Sequence, residues 1–217
     1  MKKGYFIVIE GADGCGKTTL INALKQHFQD RQDVIFIREP GGTRFGEGVR
    51  DLIMNYGDIT PQTEMLLFAC SRSELVDKVI KPSLNEGKII ICDRFVYSSY
   101  AYQGACTSLG VDYVKKVNEC ALQGLKPDLV IYLNAQQSFR SVDENRLDSV
   151  FNDKREQLIN CYNQMAKTEG FEQIDVCQNG QEQVFIDALG LIYNLVEQKN
   201  LDNVKKDNYK SIKVEKD

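Results

Sequence analysis

The sequence predicts an α/β fold built on a five-stranded, mainly parallel sheet with helices on both faces, and three observations point to it. Short apolar runs of strand length alternate with longer stretches of helical periodicity along the chain. The first run, Phe6-Ile7-Val8-Ile9, leads into a glycine-rich loop and then into a helical pattern. The third, Ile89-Ile90-Ile91-Cys92, is apolar throughout, as a parallel strand covered on both faces must be.

In order along the chain, strands are predicted over 5–10, 34–38, 88–93, 128–133 and 172–177. Helices are predicted over 17–30, 46–55, 63–85, 96–101, 112–122, 150–169 and 181–198. Arg38-Glu39-Pro40-Gly41-Gly42 closes the second strand, where the proline and glycines enforce a turn. Within 63–85, Met65, Leu66, Cys70, Val76 and Ile80 recur at helical spacing, while Pro82 in the last turn predicts a kink or an early end. Residues 1–198 read as one domain. The polar stretch 199–217 reads as a frayed extension of the last helix or a disordered end.

A chain of 217 residues is long enough to bury a core of its own. Its 27 basic and 31 acidic side chains leave a net charge of -4, which argues against general nucleic-acid binding, since that rests on neutralising many phosphates. No apolar run approaches the roughly 20 residues of a membrane span. The first residues lack the apolar stretch and cleavage site of a signal peptide, so a cytoplasmic protein is expected. Seven cysteines, none paired as C-x-x-C, argue against a zinc site or a disulfide framework and for reduced thiols, with Cys70 and Cys92 as small hydrophobes. The one histidine, His27, stands ten residues past the glycine loop, too far for the chemistry to run on imidazole.

Gly11-Ala12-Asp13-Gly14-Cys15-Gly16-Lys17-Thr18 fits G-x-x-x-x-G-K-[ST] without mismatch, and Thr19 continues it. The glycines let the backbone curl so that its N–H groups face phosphate oxygens, and the following helix adds the positive end of its dipole. Lys17 is expected on the β- and γ-phosphates of a nucleoside triphosphate, and the Thr18 hydroxyl on Mg²⁺. A glycine turn without a ligand is the plain alternative. The strand before the loop and the helix after it count against that.

The third strand ends in Asp93-Arg94, which a parallel sheet delivers to the crevice where ligands bind. Asp93 reads as a partner of Mg²⁺ through water or as an acceptor-side base, and Arg94 as charge for the phosphate under attack; an ordinary ion pair is the bland reading. Arg38, Arg50 and Arg72 are further bases suited to gripping a second phosphate. With no N-K-x-D guanine-reading motif, what remains is a small kinase for a small acceptor.

These residues carry a family resemblance. The chain resembles thymidylate kinases of the bacterial type through Gly11–Thr19, Arg38-Glu39-Pro40-Gly41-Gly42-Thr43, the run from Glu64 to Arg72, Asp93-Arg94-Phe95, the run from Ser98 to Gly104, Pro127-Asp128-Leu129 and Asn145-Arg146-Leu147-Asp148. These stretches stand in family order over about residues 4 to 195. The resemblance implies a P-loop kinase fold with a lid, ATP and dTMP as substrates, Mg²⁺, and a homodimer packed through helices such as 63–79. It implies that Phe68 stacks on thymine, Arg72 bonds the base edge, and Ser99 and Gln103 exclude the wrong base. Asp13 would take the sugar 3'-hydroxyl and Tyr102 would crowd the 2' position. Arg38, Arg50 and Arg94, beside Glu39 in the turn, would hold the monophosphate.

The chain departs from the family at the lid, about 135–149, which is short and acidic at its end. Arg140 and Arg146 are the candidates there for a catalytic arginine, the kind of group worth about 10³ to 10⁵ in rate. Two other readings follow from the same residues. One is a kinase for another nucleoside monophosphate or a nucleoside, and the other a nucleotide-binding protein of weak activity.

Overall fold

The computed structural model describes residues 4–56, 58–136 and 152–214. Most of the expected lid, including Arg140 and Arg146, lies outside the described residues. The five strands are β1 (Tyr5–Glu10), β2 (Val34–Arg38), β3 (Ile89–Asp93), β4 (Leu129–Asn134) and β5 (Glu172–Asp175). They form one parallel sheet in the order β2-β3-β1-β4-β5.

Because alternate side chains point to opposite faces, each strand feeds two cores. Phe6, Val8, Ile90, Cys92, Val130 and Tyr132 face one way. They pack under α3 (Pro61–Leu75), α5 (Val96–Ser99), α6 (Val111–Leu122) and α7 (Arg155–Glu169). Tyr5, Ile7, Ile9, Ile91, Ile131 and Leu133 face the other way, under α1 (Lys17–His27) and α8 (Gln181–Val214). The expected fold, with helices on both faces, is the fold observed.

The element boundaries shift for local reasons. α2 (Arg44–Asn55) and α3 start two residues before expectation. Thr43 accepts from the Gly46 N–H and Thr60 from the Thr63 N–H, so each threonine caps its helix and fixes where it begins. β5 stops early because Asp175 Oδ1 takes the N–H groups of Cys177 and Gln178 and turns the chain away. The expected helix 63–85 is interrupted ahead of Pro82, its regular α-helical part ending at Leu75. A π-helical turn, Val76–Ile80, leads from α3 into the short α4 (Lys81–Asn85), so the i→i+4 ladder is already broken in the turn before the proline, which has no N–H to join it. Residues 199–214, read as helix extension or disordered end, continue α8.

Parallel register brings functional ends together. Ile9 and Arg38 both pair with Asp93, so the glycine loop after β1, the turn after β2 and the Asp93-Arg94 pair after β3 open at one edge.

Candidate active site

Gly11 and Gly16 show why the loop needs glycine. Gly16 caps α1 at φ 95°, a left-handed conformation, and a side chain on Gly11 would meet Cys15 Sγ at 2.6 Å and the Leu133 carbonyl at 2.8 Å. Lys17 curls back over the loop, donating from Nζ to the carbonyls of Gly11 at 2.8 Å and Ala12 at 3.0 Å. Its ammonium is thus held in place before any phosphate arrives. Thr18 and Thr19 are exposed at the start of α1, beside the same cavity.

Arg94 has φ 66°, uncommon for a residue with a side chain, and its N–H donates to the Ile9 carbonyl at 3.0 Å. This conformation turns the guanidinium back over the loop. Nη1 donates to the Gly11 carbonyl and to Ser98 Oγ, both at 3.0 Å, and Nη2 to Asp13 Oδ1 at 2.5 Å. Tyr102 completes the cluster: its hydroxyl donates to Asp13 Oδ2 at 2.7 Å and accepts from the Asp13 N–H at 2.9 Å. Burial pushes the Tyr102 phenol well above its ordinary value, so it stays a donor.

Glu10 supports this arrangement from below. It is buried, and its carboxylate accepts from the N–H groups of Phe95 and Ser98, from Ser98 Oγ, and from the Tyr162 hydroxyl at 3.0 Å. Burial raises its carboxyl above the usual carboxylate value. A charge closing an otherwise apolar strand was a signal in the sequence, and the sequence reading passed it over.

One cavity of about 990 Å³ runs along this edge of the sheet. It is lined by Asp13 to Thr19, by Arg38, Glu39, Arg50, Asp93 and Arg94, and by Phe68, Tyr102 and Gln103. Arg38 is paired to Glu47 at 2.6 Å, and Arg50 donates to the Pro40 carbonyl at 3.2 Å. Burial, and after it the neighbouring Arg38, pulls the Arg50 guanidinium down from its ordinary value. Like charges gathered in this way favour an anion between them.

Tyr102 and Gln103 stand on a π-helical turn, Tyr100–Ala105, that follows α5. This widened turn is the local feature that the expected helix 96–101 lacked. Gln103 Nε2 donates to the buried Glu64 at 2.9 Å, which assigns the amide orientation and leaves Oε1 as the acceptor toward the cavity. Phe68 is half-buried beside it rather than in the core.

Two expected site residues lie beneath this surface. Arg72 is 1% exposed, and its guanidinium donates to Glu39, Asn118 and Ser99 Oγ. Neither Arg72 nor Ser99 lines the cavity. Burial pushes the Glu39 carboxyl up to about 7 even against the lowering effect of Arg72. His27 is exposed outside the cavity and bonds the Tyr193 hydroxyl. Cys92 is buried, but Cys70, read as a small hydrophobe, is exposed on the outer face of α3 with Leu66 one turn before it.

The sequence reading also missed Glu64, which orients Gln103, and Arg155, which reaches the phosphate loop from α7. Glu64 opens one of the stretches that carry the family resemblance, but its contact with Gln103 spans 39 residues, and no local pattern marks Arg155. The cavity further extends to Asn179, Gly180, Gln181, Glu182 and Phe185, in the turn before α8 and its first residues.

A parallel sheet, a lysine-bearing glycine loop between β1 and α1, and an Asp-Arg pair on the adjoining strand together define a P-loop nucleotide-kinase fold. The family model for thymidylate kinase matches residues 9–185, so the chain belongs to the thymidylate kinase family. A thymidylate kinase of Mycoplasmoides gallisepticum is 43% identical over 175 residues, 77% of this chain and 83% of the relative. One of Thermoanaerobacter sp. (strain X514) is 50% identical over 134 residues, 61% of this chain and 66% of the relative, so that match spans just under two thirds of its length. The crystal structure of thymidylate kinase from Ehrlichia chaffeensis superposes with a TM-score of 0.74 at 27% identity, covering 88% of this chain and 99% of that one.

Proposed function

We propose that the protein transfers the γ-phosphoryl group of ATP to the 5'-phosphate of dTMP, giving dTDP and ADP. The observation that carries this reading is that one cavity is lined together by the phosphate loop, by Arg38, Arg50 and Arg94, and by Phe68 and Gln103. Lys17 and the loop N–H groups hold the triphosphate. Arg38, Arg50 and Arg94 hold the acceptor monophosphate in line with it. Transfer then rests on positioning and on charge held in place beforehand.

Phe68 stacks on the base, and Gln103 Oε1 accepts the ring N–H that thymine has and cytosine lacks. Asp13 exchanges part of its bonding to Arg94 and Tyr102 for the 3'-hydroxyl, and the Tyr102 ring crowds a 2'-hydroxyl. With its guanidinium engaged, Arg72 reaches a base only by giving up Glu39, Asn118 or Ser99. Through those bonds it holds the floor of the pocket. A lid arginine, Arg140 or Arg146, is the candidate to cover the transferring group.

The residues fit Mg²⁺. Asp93 Oδ1 is buried with no partner among the described residues, a state that suits a carboxylate taking a metal-bound water, and the Thr18 hydroxyl stands at the loop's end. Bound there, Mg²⁺ would neutralise charge on the β- and γ-phosphates.

A homodimer is part of the proposal. α3 packs against both α2 and α6, and the three helices expose Leu52, Leu66 and Tyr113, apolar side chains suited to burial against a second copy. No described helix is long and apolar enough to cross a membrane, and we place the protein in the cytoplasm.

The test is ADP release from Mg-ATP against a panel of nucleoside monophosphates. Selective stimulation by dTMP is expected. Equal or better stimulation by another acceptor, or binding without turnover, would replace the proposal.

A further inference from the structure

We propose that Arg155 is a positioning residue for the phosphate loop, fixing the peptide between Asp13 and Gly14 so that its N–H serves the triphosphate. This inference rests on the ATP-site reading of the loop. Arg155 opens α7, and its guanidinium bridges two carbonyls: Nη1 donates to Asp13 at 2.9 Å and Nη2 to Ala135, just past the end of β4, at 3.2 Å. Arg155 does not line the cavity, whereas Gly14 does.

A trans peptide carries its C=O and N–H on opposite sides. With the Asp13 carbonyl drawn toward Arg155, outside the cavity, the Gly14 N–H is turned the other way, into the cradle. The cation also polarises that peptide and makes its N–H a better donor. From the other side, the Asp13 N–H bonds the Tyr102 hydroxyl, and its carboxylate bonds Arg94 and Tyr102. Asp13 is therefore gripped at both backbone groups and at its side chain. Gly14 has φ 72° and the freedom of a glycine, so without the Arg155 grip the peptide plane can rotate and take its N–H out of the cradle.

Arg155 Nε is buried and has no partner among the described residues. An arginine kept only for packing or stability would be a poor choice here, since an unpaired buried donor costs stability. The position makes sense when the two bridging nitrogens carry the role.

The test compares Arg155→Ala and Arg155→Lys with the unaltered chain. Mg-ADP affinity is measured by calorimetry, and kcat and KM for each substrate by steady-state kinetics; thermal unfolding verifies that each variant is folded. Loss of a charge-assisted bond predicts that Arg155→Ala weakens Mg-ADP binding and raises KM for ATP by roughly 10- to 100-fold. KM for dTMP moves less than about threefold, because Arg94 and Tyr102 still hold the Asp13 carboxylate. Arg155→Lys, with one point donor in place of a bridging fork, restores part of the loss. Unchanged nucleotide affinity in folded Arg155→Ala overturns the proposal, as does an equal rise in both KM values. If the alanine variant does not fold, unchanged affinity in Arg155→Lys overturns it. The calorimetric arm needs no acceptor, so failure of dTMP turnover in the unaltered chain would count against the proposed function alone.

Discussion

Replacing Tyr102 with Phe deletes one oxygen and leaves the buried ring in place. That oxygen accepts from the Asp13 N–H at 2.9 Å and donates to Asp13 Oδ2 at 2.7 Å, so a single atom holds the phosphate-loop aspartate at two points. An unpaired backbone N–H costs about 1–3 kcal/mol when buried, and a bond to a charged group contributes about 1.5–3. The site is only partly buried, and Arg94 still grips the other carboxylate oxygen at 2.5 Å, so the net loss is about 2 kcal/mol. For a chain of this size that lowers Tm by about 4–8 °C. If the same energy is lost from the transition state, kcat/KM for dTMP falls about 30-fold. Discrimination against the ribonucleotide stays unchanged, since the ring that crowds the 2' position remains. Calorimetric unfolding and ADP-release kinetics on the one variant measure all three. A Tm within about 1 °C of the parent with kcat/KM within about twofold would refute the argument.

Other residues give further expectations. Lys17→Ala removes the ammonium that bonds the Gly11 and Ala12 carbonyls and is expected to abolish transfer; near-parental turnover in the ADP assay would count against the loop assignment. Glu64→Gln lets the Gln103 amide flip, and the preference for dTMP over dCMP in kcat/KM should fall by about 10-fold or more, because a buried polar reader discriminates only while its orientation is fixed. Glu39→Gln should flatten the pH dependence of stability. The Glu39 carboxyl rises from 4.5 to about 7 on folding, so its favourable contribution is full below the unfolded value and is lost as pH rises through about 7. That window is worth about 3 kcal/mol at most, readable in denaturant titrations at pH 4.5 and 7.5, and a parental slope in the variant would contradict it.

Much of this was legible in the residues. The run from Phe6 to Ile9 had to be a strand buried on both faces, and the glycines after it had to form an anion-binding turn. Register did the rest for Asp93 and Arg94, since a parallel strand must end at the ligand edge. What stayed hidden depends on contacts distant in sequence. Arg72 reads as a base-edge arginine from its place in the run from Glu64 to Arg72, yet Glu39, Asn118 and Ser99, on three other segments, surround its guanidinium. Gln103 reaches the cavity from a π-helical turn, which no apolar spacing announces. Arg155 meets Asp13 across 142 residues, and nothing local marks it. Leu66 and Cys70 share helical spacing with the buried Met65 but belong to the outer face.

The central claim is that one cavity brings ATP and dTMP phosphate to phosphate. Phosphorus NMR of the protein with Mg-ATP and dTMP tests it most directly, because each product phosphate has its own resonance. Equimolar growth of dTDP and ADP, with inorganic phosphate absent until dTMP is consumed, is the predicted result. Release of inorganic phosphate without dTDP, or an unchanged spectrum under saturating substrates, would contradict the account.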